Sequence, residues 1–395
     1  MKKKILIVSS SLTMGGLERC LVNFCDALDY EKYEVDLYLF NEGRDLLEKL
    51  NKKVKLLPDS PYYADVYNKS LGNSIKTLLQ KKKFGLALYR LGRFFRIRFG
   101  ERKFSVNDWK NMQETMLKID AKYDIAIGFE EETSLYYVAE CVQADVKIGW
   151  IHTDIKKIDS NKTLDEFAFE KLDSVITVSQ NSLKSLQEEY PSFADKFQCI
   201  TLPKLINEKE VEKLSQEPNS MDFDGIKILS VGRLVELKGF HLCVPACKML
   251  VDDGYKFKWY VAGDGGYRKE IEEEIEKYGV KDNFILLGNC CNSYTYIRSA
   301  DICVQPSSYE GYSVAVFEEK YFKKPVVVSD IPSNLEMIVD GENGIVVQRT
   351  PEDIYRGVKT LLDDALLRER LAKAPAMGSQ TNAEIIKEIE KSFEK

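Results

Sequence analysis

The sequence predicts an α/β protein with two doubly wound parallel-sheet domains. Short apolar runs alternate with helical patterns almost from end to end, the signature of parallel strands covered by helices. At 395 residues the chain is too long for one ordinary core. A polar stretch at 207–224, containing Ser215-Gln216-Glu217-Pro218-Asn219-Ser220, reads as a connector that divides the alternation into two series.

The first series places strands at 4–9, 35–40, 54–57, 124–129, 146–152, 175–179 and 199–202. The long gap between the third and fourth holds a basic, mostly helical insertion at about 70–118. The second series places strands at 227–231, 258–262, 284–287, 302–305, 326–329 and 345–347. Domains are expected at 1–205 and 206–380, with a final lysine- and glutamate-rich helix at 381–395 that packs back on the N-terminal domain. In two such units the carboxyl ends of the sheets are expected to face a ligand cleft.

Composition narrows the class. Hydrophobic residues make up 44% and charged residues 30%, as in soluble globular proteins. No run approaches the ~18 apolar residues of a membrane span. The apolar run after Met1-Lys2-Lys3-Lys4 is too short for a signal peptide. Nine cysteines without a C-x-x-C pair argue against zinc or a redox dithiol, and no metal is expected. These features point to the cytoplasm. A net charge of −6 argues against a nucleic-acid partner.

The most informative segment runs from Ser308 to Glu318. Asp301-Ile302-Cys303-Val304-Gln305-Pro306 reads as a buried strand stopped by proline, followed by a loop and a helix N-terminus. That order offers backbone N–H groups to an anion. Glu310 falls in the loop and Glu318 about two turns along the helix if Ser313 caps it. The pair suits two ends of an extended ligand; the plain alternative is an amphipathic surface helix.

Earlier turns add to this. Gly15 and Gly16 follow the first strand and open a helix, without the G-x-G-x-x-G of a dinucleotide site or the lysine of a P-loop. Gly232, Arg233 and Lys238 follow the strand at 227–231, where two cations at a carboxyl end can neutralise a diphosphate. Gly263 belongs to a further glycine turn, Gly263-Asp264-Gly265-Gly266, in which Asp264 reads as a helix N-cap. His152 ends its strand at the sheet rim, as a donor to a sugar hydroxyl or as an ordinary structural histidine. His241 lies inside a helix and reads as structural.

In this order and spacing the motifs resemble the retaining nucleotide-sugar glycosyltransferases of the GT-B fold, family four (the glycosyl transferases group 1 type), whose two domains are Rossmann-like. The resemblance covers nearly the whole chain and is strongest at 226–347. It implies a transferase that moves a hexose-type sugar from a UDP- or GDP-sugar to a glycan acceptor, of the lipid-linked kind, in cell-surface polysaccharide or glycoconjugate synthesis, without a cofactor. It implies that Glu310 faces the donor sugar, Glu318 holds the ribose, and Arg233 and Lys238 clamp the diphosphate with backbone N–H groups near Tyr312, Ser313 and Val314. Gly16 lies beside the diphosphate and His152 bonds the donor sugar. The base meets backbone around 288–291. The family's usual residues after the first glutamate are replaced here by Tyr312-Ser313-Val314. A nucleotide-sugar epimerase of similar fold and a non-catalytic nucleotide-sugar-binding subunit remain open.

Between Lys76 and Lys103 ten cations meet the single acid Glu101. Lys81, Lys82, Lys83, Arg90, Arg93, Arg96 and Arg98 alternate with aromatic and aliphatic residues. This is expected to lie on an anionic membrane at its inner face or to hold an acceptor's diphosphate. An ordinary helix with its aromatic side inward is the simpler alternative.

Overall fold

The structure is a computed structural model and describes residues 2–13, 15–100, 104–201, 205–290, 292–378 and 380–394. It divides into two compact units, Met1–Leu205 with Asn382–Lys395, and Ile206–Thr381.

The first unit is built on a seven-stranded parallel sheet: β1 (Lys3–Ser9), β2 (Tyr33–Leu39), β3 (Lys55–Leu56), β4 (Lys122–Gly128), β5 (Gln143–Ile151), β6 (Ser174–Thr177) and β7 (Phe197–Cys199). Their order is β3-β2-β1-β4-β5-β6-β7. Ile5, Leu6, Ile7 and Val8 are all fully buried, because helices cover both faces of a parallel sheet. The chain winds outward from β1 to β3 and restarts at β4 on the other side of β1. The ends of β1 and β4 therefore flank a topological switch point.

The second unit holds a six-stranded parallel sheet: β8 (Ile226–Val231), β9 (Phe257–Ala262), β10 (Phe284–Gly288), β11 (Ile302–Gln305), β12 (Val326–Ser329) and β13 (Ile345–Val347). Its order, β10-β9-β8-β11-β12-β13, puts the switch point between β8 and β11. Every expected strand is present, with ends shifted by up to three residues. Leu202, at the expected end of the seventh strand, lies outside the described residues.

One expectation fails. The polar connector contains a helix, Glu208–Ser215, whose start is fixed by the Asn207 side chain accepting from the Glu210 N–H at 3.1 Å. It buries only Val211 and Ser215 fully, so its composition resembles a loop. The insertion forms helices Leu71–Gln80, Phe84–Arg98 and Val106–Gln113. Val66, Leu78, Leu86, Ala87 and Tyr89 form a small core of their own there. The last helix, Asn382–Lys391, buries Ile385 and Ile389 in the first unit. Tyr33 donates to Glu390 at 3.0 Å and meets the Phe393 ring edge-on.

Candidate functional site

In the second unit the loops after β8, β9 and β11 lock together through glycine. The Gly232 N–H donates to the Ala262 carbonyl at 3.0 Å, Leu234 N–H to Asp264 at 2.9 Å and Tyr267 N–H to Leu234 at 2.8 Å. Gly263 has φ +153°, and a Cβ there would lie 1.9 Å from the Gly232 carbonyl oxygen. Only glycine tolerates that approach. A short 3₁₀ turn, Glu236–Lys238, ends at Gly239 with φ +74°, where a Cβ would meet the Pro306 carbonyl at 2.3 Å. Ser308 N–H closes the third side by donating to Leu237 at 2.7 Å.

This frame carries Arg233 and Lys238. Arg233 is exposed and makes no ion pair among the described residues. Lys238 is largely buried and pairs with Glu310, Nζ to Oε1 2.5 Å, while the Ser307 hydroxyl donates to the same oxygen at 2.8 Å. The two residues given separate tasks in the sequence are thus joined.

The helix after this loop is Val314–Tyr321, with Ser313 at its N-cap position but making no side-chain bond to the helix. Glu318 is its fifth residue, little more than one turn in rather than two, and is buried. Ser313 and Tyr312 are buried as well. The Val314 N–H already donates to the Tyr312 carbonyl at 3.0 Å, so it belongs to the turn rather than to an anion cradle. Asp264 is no N-cap either. The next helix begins at Arg268, and the Asp264 carboxylate accepts from Gly265 N–H at 2.8 Å and pairs with Arg268 at 3.4 Å. At the expected base site, Gly288 has φ +79° and its carbonyl accepts from Gly263 N–H at 2.9 Å; Cys291 lies outside the described residues. The His241 ring packs on Tyr267 at 5.5 Å.

The first unit presents a second set at the ends of β1, β4 and β5. Gly15 is the N-cap position of the helix Gly16–Ala27, and a Cβ there would sit 2.2 Å from the Glu18 carboxylate. His152 follows β5, with its ring against Phe129 at 5.2 Å. Burial, opposed by Glu131 and a bond to the Phe129 carbonyl, drives its pKa down to about 4. Nε2 has no partner among the described residues, so the bond to Phe129 comes from Nδ1. The neutral ring therefore carries a buried, unprotonated Nε2, an acceptor rather than the donor read from the sequence. Glu131 holds the loop by accepting from the His152 backbone N–H at 3.0 Å.

Sequence reasoning missed Glu130. Its carboxylate accepts from the Ser9 hydroxyl at 3.2 Å, the Ser10 hydroxyl at 3.1 Å and the Ser10 backbone N–H. Burial pushes its pKa up to about 7 against these bonds. Three consecutive glutamates directly after an apolar strand were the available signal.

The basic helix turns only part of its apolar surface inward, Leu86, Ala87 and Tyr89 facing its small core. Lys81 pairs with Asp65, Arg96 with Asp108 at 2.5 Å, and Arg93 lies over the Tyr67 ring at 5.5 Å. Lys83 lies over Tyr62 at 4.5 Å and Arg90 donates to the Lys69 carbonyl at 3.4 Å. Lys82 and Arg98 stay exposed. Lys81, Arg93 and Arg96 turn toward Asp65 and Asp108, which lie outside the basic stretch, are buried and need partners. The face left outside is apolar: Phe84 (60% exposed), Leu88 (70%), Leu91, Phe95 and Phe99 (83%) recur at spacings of four, three, four and four.

Among the described residues no group of three or more His, Cys, Asp or Glu is arranged to hold a metal ion. No described helix is long and apolar enough to cross a membrane.

This chain is similar to several known proteins. Residues 211–376 match the family model for glycosyl transferases group 1. The alpha-D-kanosaminyltransferase of Streptomyces kanamyceticus is 33% identical over 153 residues, 38% of this chain and 39% of that protein. Over the whole length, the amylovoran biosynthesis glycosyltransferase AmsD of Erwinia amylovora is 20% identical, across 95% of this chain and 94% of its own. The match spans 42% of the length of a further relative, the capsular polysaccharide biosynthesis glycosyltransferase CapM of Staphylococcus aureus. Among solved structures, Anabaena HepE in complex with UDP and glucose superposes with TM-score 0.71 at 17% identity, over 99% of each chain. S. aureus TarM does so with TM-score 0.68 at 14% identity, over 100% of this chain and 99% of that one. At such identities the likeness is one of fold: two parallel-sheet Rossmann-like domains of GT-B type.

Proposed function

We propose that this chain, which belongs to the glycosyl transferases group 1 family through residues 211–376 and has the GT-B fold, transfers a hexose-type sugar from a nucleotide diphosphate to a glycan acceptor with retention of configuration. The observation that carries this reading is the rigid glycine frame holding Arg233 and Lys238 at the switch point of the second sheet. Ligands of doubly wound sheets bind at such points. Cleavage of the glycosidic C–O bond leaves extra negative charge on the departing diphosphate. Two cations fixed there stabilise the transition state more than the ground state.

Each side chain then has one task. Arg233 and Lys238 hold the diphosphate, with Gly232 and Gly263 keeping the backbone close. Glu310 orients the sugar and the Lys238 ammonium together, and Glu318 accepts from the ribose hydroxyls. His152 Nε2 accepts a hydrogen bond from a sugar hydroxyl. In a retaining reaction that proceeds on one face, a phosphate oxygen takes the acceptor's proton as the new C–O bond forms. The occurrence of UDP and glucose in the HepE complex supports a uridine diphosphate sugar as the first donor to try. The capsular and amylovoran relatives support a polysaccharide product.

The outward apolar stripe of the helix Phe84–Arg98 supports a peripheral seat on a membrane, where a lipid-linked acceptor resides. The test is turnover against a panel of UDP- and GDP-sugars, with and without membrane extract. Acceptor-dependent nucleotide release is expected. Donor conversion without release would instead indicate an epimerase, and binding without either would indicate a non-catalytic subunit.

A further inference from the structure

The helix Val314–Tyr321 carries three consecutive charged residues, Glu318-Glu319-Lys320, and all are buried. Lys320 is accounted for: Nζ donates to the carbonyls of Asn343 at 2.7 Å and Leu371 at 2.6 Å. Glu319 is not. It has no exposed surface, Oε1 accepts from the Gln305 amide at 2.6 Å, and Oε2 has no partner among the described residues.

A carboxylate buried without a contacting cation escapes most of its desolvation cost by keeping its proton. Burial raises the Glu319 pKa to about 8; Gln305, Lys238 and Lys320 oppose the rise and Glu318 adds to it. Gln305 is the last residue of β11, and the chain continues through Ser307 to Glu310, the partner of Lys238. Glu319 thus grips the root of the loop that holds Glu310, and lies within electrostatic reach of Lys238.

Resting on the reading that Arg233 and Lys238 take a diphosphate, we infer that Glu319 is a positioning residue that supports donor binding as a neutral acid. Protonated, it holds Gln305 and adds no negative charge, so the Lys238 ammonium faces only Glu310 and the ligand. Ionised, it sets a second carboxylate against the incoming diphosphate. Binding above pH 8 then transfers up to one proton from solvent to a Glu319 oxygen.

The experiment is calorimetry of UDP and GDP binding to the full chain at pH 8.5, in two buffers of different ionisation enthalpy. Wild type is expected to take up roughly 0.7 proton more than Glu319→Gln, which keeps an amide acceptor for Gln305 but has no proton to gain. Wild-type affinity should fall towards tenfold per pH unit above 8 while that of the variant stays flat. Equal uptake by both would overturn the inference. Should Glu319→Gln fail to fold, Gln305→Leu removes a bond that lowers the Glu319 pKa; the wild-type uptake must then move to higher pH, and an unmoved window overturns the inference as well. A folded chain that binds neither nucleotide at any pH fails the proposed function instead.

Discussion

Lys238 and Glu310 stand 72 residues apart in sequence and share an ion pair of 2.5 Å in the second unit. The pair makes the lysine a pre-positioned cation rather than a mobile one. Its Glu310 partner sits on a loop pinned by the Ser308–Leu237 backbone bond. A diphosphate arriving there meets an ammonium already desolvated and aimed, which is how electrostatic stabilisation avoids reorganisation at the moment of reaction.

Removing the cation should therefore fall on the chemical step. Lys238→Ala is expected to lower turnover about 10²–10³-fold with a much smaller change in donor KM. Steady-state kinetics with varied donor decides it, and unchanged turnover would refute the clamp.

The glycine frame should resist even one methyl group. Gly263→Ala places a Cβ against the Gly232 carbonyl at a φ that side chains rarely adopt. The cost is about 3 kcal/mol or more, a fall of roughly 6–12 °C in the melting of the second unit. Scanning calorimetry reads the stability, and nucleotide titration should show binding lost with it.

His152 gives a pH signature. Its folded pKa, about 4, lies below the unfolded value near 6.5, so the unfolded chain binds more protons between the two. Stability is full above pH 6.5 and falls as the pH drops towards 4, by up to about 3 kcal/mol. Denaturation midpoints across that range should flatten in His152→Gln, and an unchanged slope would assign the acid sensitivity elsewhere.

The insertion helix separates two modes of surface binding. Leu88→Asp with Phe95→Asp should abolish flotation on anionic vesicles while leaving the melting temperature within about 2 °C, because both side chains are exposed. Lys82→Gln with Arg98→Gln should weaken flotation only in its salt-sensitive part. Equal flotation of the Asp variant and wild type would remove the membrane seat.

What was legible in the sequence followed from how each signal is written. Thirteen strands showed because buried parallel strands are continuous apolar runs such as Ile5 to Val8. The switch-point loops showed because close backbone approach demands glycine at Gly239 and Gly263. The orientation of the basic helix did not show, since its partners Asp65 and Asp108 lie outside the basic stretch and only tertiary packing brings them in. Glu319 was hidden for a related reason. Beside Glu318 it looks like one more surface acid, and only the fold reveals that it faces Gln305 in the interior. The His152 tautomer depends on a hydrogen bond to Phe129, which spacing cannot express.

The interlocked turns after β8, β9 and β11 also limit how this protein can be re-engineered. Because the turn after β8 fills space left at Gly263 and Gly265, and the turn after β11 fills that left at Gly239, the three behave as one inherited block. Grafting a single loop from a relative of different donor preference should yield a poorly folded chimera, whereas exchanging all three together preserves the fit. Donor preference is therefore easier to alter at side chains projecting from the block than through the turns themselves.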